Sequence, residues 1–393
     1  MVMFKKANVY KNSWNVGLFS LFIWSMIVGI LNHSSISFIT SFVFLIYFCL
    51  SVFLQNYCVN ENKVEELYRY LLYASIFSAI IGIIEKILFL IWDMSLWRWL
   101  LEATAQPIFE NRIYSTFGNP NIAGNWFAIM IILSLYFRDI ADKKNRLFYQ
   151  GTTILFVLTL FLTGSRGAYI GVLFGLAIYW LLKKNKKDVM LFTLIFIFMA
   201  ALTVIPANLF DFQFNKSSET NGNTITDKIE EGAETHDVGE SVNSRVGIWS
   251  GSLKMIEDKP ITGWGIMAFL EPHSKYLGEY YYKTLFHAHN IWITFTTTLG
   301  GVGLCIYLYM KFNLFKNLEI LYRRNYRVVP MLAAIQALII GHGLVDFTII
   351  APQTGILFIG CSAMITSLVR QQSSLSVKQT LSVSKYKSLS KWS

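Results

Sequence analysis

Repeated apolar runs of roughly 17 to 25 residues govern this 393-residue chain, and they leave it little choice but to fold inside a bilayer. A hydrocarbon core of ~30 Å calls for about 20 apolar residues per helix, and in that medium every backbone N–H and C=O must be satisfied internally. About ten such runs lie near 14–31, 36–54, 68–91, 121–137, 148–163, 167–182, 189–206, 290–310, 329–346 and 354–369. The short alternating segments of an outer-membrane barrel are absent from the sequence. Charged residues make up 15% of the chain, where a soluble domain carries about a quarter. The fold class is therefore all-α, a polytopic membrane protein with a large extracytoplasmic loop that carries short amphipathic helices.

Charge fixes the expected orientation. Lys5, Lys6 and Lys11 precede the first run, which ends without a small-residue cleavage site and so reads as an uncleaved span. Basic residues then fall on alternate loops: Lys63 and Arg69; Arg138, Lys143, Lys144 and Arg146; Lys183, Lys184, Lys186 and Lys187; Lys311, Lys316, Arg323, Arg324 and Arg327. Basic loops stay cytoplasmic, which puts both termini inside. The net charge of +10 is explained by topology and attraction to anionic membrane lipids, so no nucleic-acid partner is expected. Four scattered cysteines make no disulfide framework.

Four segments follow from this pattern: a bundle of about seven spans over 1–206, an extracytoplasmic loop over 207–289, three further spans over 290–370 and a Ser- and Lys-rich tail over 371–393. The tail and the acidic stretch 211–240 have the composition of disordered segments. From Ser244 the loop changes character. Val246, Trp249, Leu253 and Ile256 recur at helical spacing, Ser244 can cap and Pro260 ends the pattern. This predicts a short helix on the membrane surface with Trp249 turned to the lipid.

Orientation rules leave some outer residues unexplained. Arg166 sits in Thr163-Gly164-Ser165-Arg166-Gly167-Ala168 between two spans. It either snorkels to headgroups or offers its planar fork of donors to a phosphate. Arg245 opens the amphipathic helix, either as plain surface charge or as a second guanidinium on a diphosphate. His287-Ala288-His289-Asn290 directly precedes a span. Its histidines are interfacial side chains, proton acceptors for a hydroxyl, or metal ligands, although the third ligand is not obvious among Glu271, His273 and Glu279. In Arg112 through Asn121, Asn119 and Asn121 suit a helix cap around Pro120 and equally suit sugar hydroxyls. Asp346 is an acid near the outer end of a span and hence a functional candidate or an arginine's partner.

No phosphate-binding P-loop or dinucleotide fingerprint is present in the sequence. A transferase built this way must draw its energy from a donor already carried in the membrane. With these residues in place, the chain resembles the O-antigen ligase and polymerase superfamily. The likeness is carried, in order, by Arg112–Asn121, Gly164-Ser165-Arg166-Gly167, Arg245 with Trp249, Asp258-Lys259-Pro260…Gly263-Trp264-Gly265, His287-Ala288-His289-Asn290 and Leu299-Gly300-Gly301-Val302-Gly303-Leu304. It departs from the family where an acidic residue gives way to Thr297 or Thr298. The resemblance implies a metal-independent glycosyltransferase of the bacterial cytoplasmic membrane that needs no cofactor. Its donor would be a glycan on undecaprenyl diphosphate and its acceptor a glycan or lipid-linked sugar. Arg166 and Arg245 would hold the diphosphate, and His289 or His287 would assist the acceptor hydroxyl. Arg112, Asn119, Asn121, Trp249, Asn290 and Asp346 complete the candidate substrate contacts. The composition favours a polymerase of capsule, wall polysaccharide or O-antigen. A ligase or protein O-oligosaccharyltransferase is the alternative within the family, and a flippase for lipid-linked glycans is the alternative outside it.

Overall fold

The computed structural model describes residues 8–91, 112–183, 238–270, 274–280, 285–348 and 351–389, and these are helical with connecting turns. The main helices are α1 (Ser13–Leu31), α2 (Ser35–Thr40), α3 (Phe42–Tyr57), α4 (Glu61–Ile91), α5 (Pro120–Ile140), α6 (Lys143–Thr163), α7 (Arg166–Lys183), α8 (Val238–Asp258), α9 (Ile291–Arg323), α10 (Val329–Gly343) and α11 (Pro352–Leu389), with single turns at Ser274–Leu277 and Gly278–Tyr280 between α8 and α9. Among the described residues, 8 helical segments are long and apolar enough to cross a membrane, α2 and α3 counting together, and α10 is a shorter apolar helix. Every apolar run that falls on described residues is helical, and the expected run 189–206 lies outside them. The chain is an all-α polytopic membrane protein.

Local chemistry sets the helix starts. Asn12 accepts from Asn15 N at 2.9 Å, Asp142 accepts from Asn145 N at 3.0 Å, and Asn119 accepts from Asn121 N at 2.7 Å with Pro120 in the first turn. Helix α5 is the centre of the bundle, with 83% of its apolar window buried. Helix α10 lies along α7, because Gly167, Gly171 and Gly175 clear one stripe of α7. A Cβ on Gly171 would sit 2.9 Å from Leu338 O, and one on Gly175 would sit 3.1 Å from Ala334 O. Such small residues at four-residue spacing let two helix backbones approach in lipid.

Helix α9 is broken at Gly300, where φ is 64° and ψ is −170°. The break frees carbonyls and amides that hydrocarbon cannot satisfy. The Pro260–Gly265 loop takes them up. Trp264 N and Gly265 N donate to Thr297 O and Thr298 O at 3.0 and 2.8 Å, while Gly301 N and Val302 N donate to Pro260 O and Ile261 O at 2.7 and 3.4 Å. The two glycine-containing motifs, distant in sequence, are thus two halves of one backbone splice.

Several expectations change. Lys63 and Arg69 belong to α4, and Lys311 and Lys316 belong to α9, so neither pair sits in a loop. Lys311 is buried at 3% exposure with Nζ donating to Gln336 Oε1 at 2.7 Å. No Pro or Gly interrupts residues 304–323, so the helix continues past the apolar run. Helix α8 is 21 residues long and encloses Ser244 instead of starting there. Its buried stripe is Ile248, Ser252 and Met255, whereas Val246 and Leu253 are exposed. The two stripes share a helical period and differ only in phase, which periodicity alone cannot set. Helix α11 runs on to Leu389 through the expected disordered tail, where no Gly or Pro occurs. The acidic stretch lies outside the described residues up to 237, and its last three residues open α8.

Candidate active site

The centre of the site is the turn that leads into α9. Asn290 caps that helix, its Oδ1 accepting from Trp292 N and Ile293 N at 2.9 and 3.1 Å. Its Nδ2 donates to Leu344 O at 2.9 Å, which ties the turn to the segment following α10. Between the histidines, Ala288 N donates to Thr294 Oγ1 at 3.2 Å, and Ala288 O accepts from Trp249 Nε1 at 2.7 Å. Trp249 thus faces the histidine turn and not the lipid. His289 takes a left-handed backbone, φ 51°, which folds its own N–H back onto His287 Nδ1 at 3.1 Å.

Asp346 is what the turn is built around. Its Oδ1 lies 3.1 Å from His289 Nδ1 and 3.9 Å from His287 Nε2, and it also accepts from Phe347 N at 2.7 Å. Burial alone would raise this carboxyl. The hydrogen bond from His289 and the neighbouring histidines outweigh it and hold Asp346 well below the usual carboxylate range. An ionised Asp346 accepts the Nδ1–H of His289, so the proton of that ring is on Nδ1 and the lone pair is on Nε2. His287 is the other tautomer, because its Nδ1 already accepts an amide proton. Burial, and then His289, push His287 down to about 3, so it is neutral at ordinary pH.

Arg112 comes in from the other side. Its Nε donates to Thr163 O and its Nη2 to Asn121 Oδ1, both at 2.7 Å. Burial pushes this guanidinium down to about 10, with Asp346 opposing the shift and Arg245 adding to it. An arginine at that value still carries its charge near neutrality. Arg245 acts electrostatically on His287 and His342 as well, so it belongs to the same neighbourhood. Arg166 opens α7, half-buried, and shares Tyr169 with Arg112 as an electrostatic neighbour. Asn119 caps α5. Thr297 and Thr298 lie at the break in α9, where their carbonyls hold the Pro260–Gly265 loop.

His342 is the residue that sequence reasoning missed. Asn125 Nδ2 donates to Thr348 Oγ1 at 2.6 Å, and Thr348 Oγ1 lies 3.1 Å from His342 Nδ1. A histidine inside an apolar run, one helical turn before Asp346, was the available signal. An apolar cavity adjoins the site, lined by Tyr47, Ile266, Phe295, Leu299 and Phe347 among others. Phe347 is the shared wall, its ring 5.8 Å from that of His287.

His287, His289 and Asp346 also form a cluster of metal-ligand type, with ligand atoms within 4.8 Å of one another. Asp346 is thus the third ligand that spacing did not reveal; Glu271 and His273, and the side chain of Glu279, lie outside the described residues. The donor set nevertheless fits a metal poorly. A neutral His287 whose Nδ1 accepts an N–H keeps its proton on Nε2, the atom that would have to ligate.

Residues 151–308 match the family model described as O-antigen ligase. The central part of the chain thus carries a domain of the O-antigen ligase type. The matched stretch carries Arg166, Arg245, the histidine turn and the break in α9, and the fold adds Arg112 and Asp346 from outside it. A candidate polysaccharide ligase of Rickettsia conorii is 26% identical over 230 residues, which is 55% of this chain and 48% of that protein. The chain thus matches about half the length of that relative. The domain match and the apolar helices together describe a multi-pass membrane protein with an O-antigen ligase domain.

Proposed function

We propose that this chain transfers a glycan from undecaprenyl diphosphate to the hydroxyl of an acceptor sugar at the outer face of the cytoplasmic membrane, as a polymerase of surface polysaccharide. The observation that carries the reading is the His289–Asp346 contact of 3.1 Å, which leaves Nε2 of His289 as a proton acceptor. The acceptor O–H gives its proton to that nitrogen as its oxygen bonds to the anomeric carbon. The bond from that carbon to the carrier diphosphate breaks, and the electron pair leaves with the phosphate oxygen. Arg112, Arg166 and Arg245 bind the growing negative charge on the leaving group. The apolar cavity beyond Phe347 suits the first isoprene units of the carrier. His287, held neutral, orients its neighbour and the acceptor sugar, and the reaction proceeds without a metal.

The proposed topology has both termini in the cytoplasm. In that topology 1–206 form the N-terminal bundle, 207–289 an outer loop and 290–370 the C-terminal helices. A ligase is the second reading, favoured by the name of the Rickettsia conorii relative. Purified protein supplied with a lipid-diphosphate oligosaccharide decides between them. Longer lipid-linked chains from the donor alone support polymerisation. Product only after a distinct lipid-glycan acceptor is added supports ligation, and no product with either sinks the transferase reading.

A further inference from the structure

Glu85 lies in α4, in an apolar stretch where an acid is expensive, and is 8% exposed. Its side chain reaches the loop that follows Arg112. Tyr114 N donates to both carboxylate oxygens at 3.1 Å, and Ser115 N donates to Oε2 at 2.7 Å. Two successive amides converge on one anion because Ser115 adopts a left-handed backbone, φ 55°, forming a small anion-binding concavity. Around it, Ser115 Oγ donates to Ser78 O at 2.5 Å, and Ile113 N donates to Leu162 O at 3.2 Å. The loop also sits tight on α4: a Cβ on Gly82 would meet Ile113 Cδ1 at 2.8 Å. The backbone of 113–115 is therefore clamped between α4 and the end of α6, directly after Arg112.

We propose that Glu85 is a positioning residue, which sets the Arg112 guanidinium for the donor diphosphate through the backbone of Tyr114 and Ser115. This rests on the reading of Arg112 as a diphosphate contact. A carboxylate suits the site because both partners are N–H donors. An amide in its place can still accept from Ser115 N at the Oε2 position, but it sets its own N–H against Tyr114 N–H and so loosens the backbone next to Arg112. Displacement of a binding group by a fraction of an ångström to an ångström weakens function by about 10- to 100-fold.

Donor and acceptor KM and kcat should be measured for wild type, Glu85→Gln, Arg112→Ala and the double variant, with hydrogen exchange over 112–117. The expected result is a donor KM about tenfold higher in Glu85→Gln, an unchanged acceptor KM and faster exchange at Tyr114 and Ser115. In the Arg112→Ala background, Glu85→Gln should add nothing further, since its effect passes through that guanidinium. A wild-type donor KM in Glu85→Gln, or effects that add in full, overturns the positioning role while leaving Arg112 in the site. An unchanged donor KM in Arg112→Ala removes Arg112 from the diphosphate and the proposal with it. If Glu85→Gln fails to accumulate in the membrane, Glu85→Asp keeps the charge but withdraws it by one methylene. The same rise at smaller size is expected there, and a wild-type value overturns the proposal.

Discussion

Replacing Asp346 by Asn isolates charge from geometry. The amide oxygen can stay where Oδ1 is, accepting from Phe347 N at 2.7 Å and from His289 Nδ1 at 3.1 Å. The tautomer of His289 and the orientation of its ring are then kept. What disappears is the negative charge facing the imidazolium that forms when the acceptor's proton arrives. Two unit charges about 4 Å apart, at an effective dielectric of about 20, interact by about 4 kcal/mol. At 1.36 kcal/mol per decade, Asp346→Asn should lower kcat about 10³-fold. The donor KM should move little, because Asp346 touches the histidines and not the leaving group in this mechanism. The assay is single-turnover transfer from a lipid-diphosphate oligosaccharide, with equal amounts of inserted protein. A near-wild-type kcat, or a loss confined to KM, would refute the assignment and make Asp346 a sugar contact.

Arg166→Lys keeps the charge but loses the bidentate fork, so transfer should weaken with insertion intact, and Arg166→Ala or Arg245→Ala should remove roughly 2–4 kcal/mol of transition-state stabilisation; wild-type rates in either Ala variant would discard the diphosphate role. His289→Gln removes the lone pair proposed to take the acceptor's proton, so kcat should fall sharply with the donor KM little changed, and a near-wild-type kcat would discard that role. His287, pushed down to about 3, stays neutral from pH 5 to 8, so His287→Gln should leave the shape of the pH profile in that window unchanged. Chelators should leave the rate unchanged, and activity restored by added metal after chelation would revive the metal reading of the cluster. Gly300→Ala should destabilise the fold by at least about 1–3 kcal/mol from backbone strain alone, and its Cβ would also lie 2.1 Å from Ile261 O. An unshifted Tm in detergent would contradict the splice.

The spans are legible in the sequence because lipid imposes one rule on every segment, and an apolar run of sufficient length has no other solution. Their ends are less so. Lys311 looks like loop because it is charged, yet the helix carries it inward to Gln336. The histidine turn is legible as a cluster, but its meaning depends on Asp346, 57 residues from His289 in sequence and brought there by the contact of α9 with α10 and the bond from Asn290 to Leu344 O. For α8 the period was readable and the buried face was not, since Ile248 and Met255 are as apolar as Val246 and Leu253. Glu85 gave only the bare signal of an acid in an apolar run. Its partners are backbone amides, which leave no trace in side-chain pattern.

The splice at Gly300 restricts how α8 can move. Four main-chain bonds fasten the chain just after α8 to the two sides of the break, so the C-terminal end of α8 acts as a pivot. Arg245 stands roughly 20 Å along the helix from Asp258 and is the far end of that lever. Between pivot and tip, Trp249 grips the carbonyl of Ala288 at 2.7 Å. Any swing of the tip therefore drags on the residue between the two histidines. The arginine proposed to meet the donor and the histidine proposed to meet the acceptor are then parts of one linkage, and a change at one end arrives at the other as a displacement of the histidine turn.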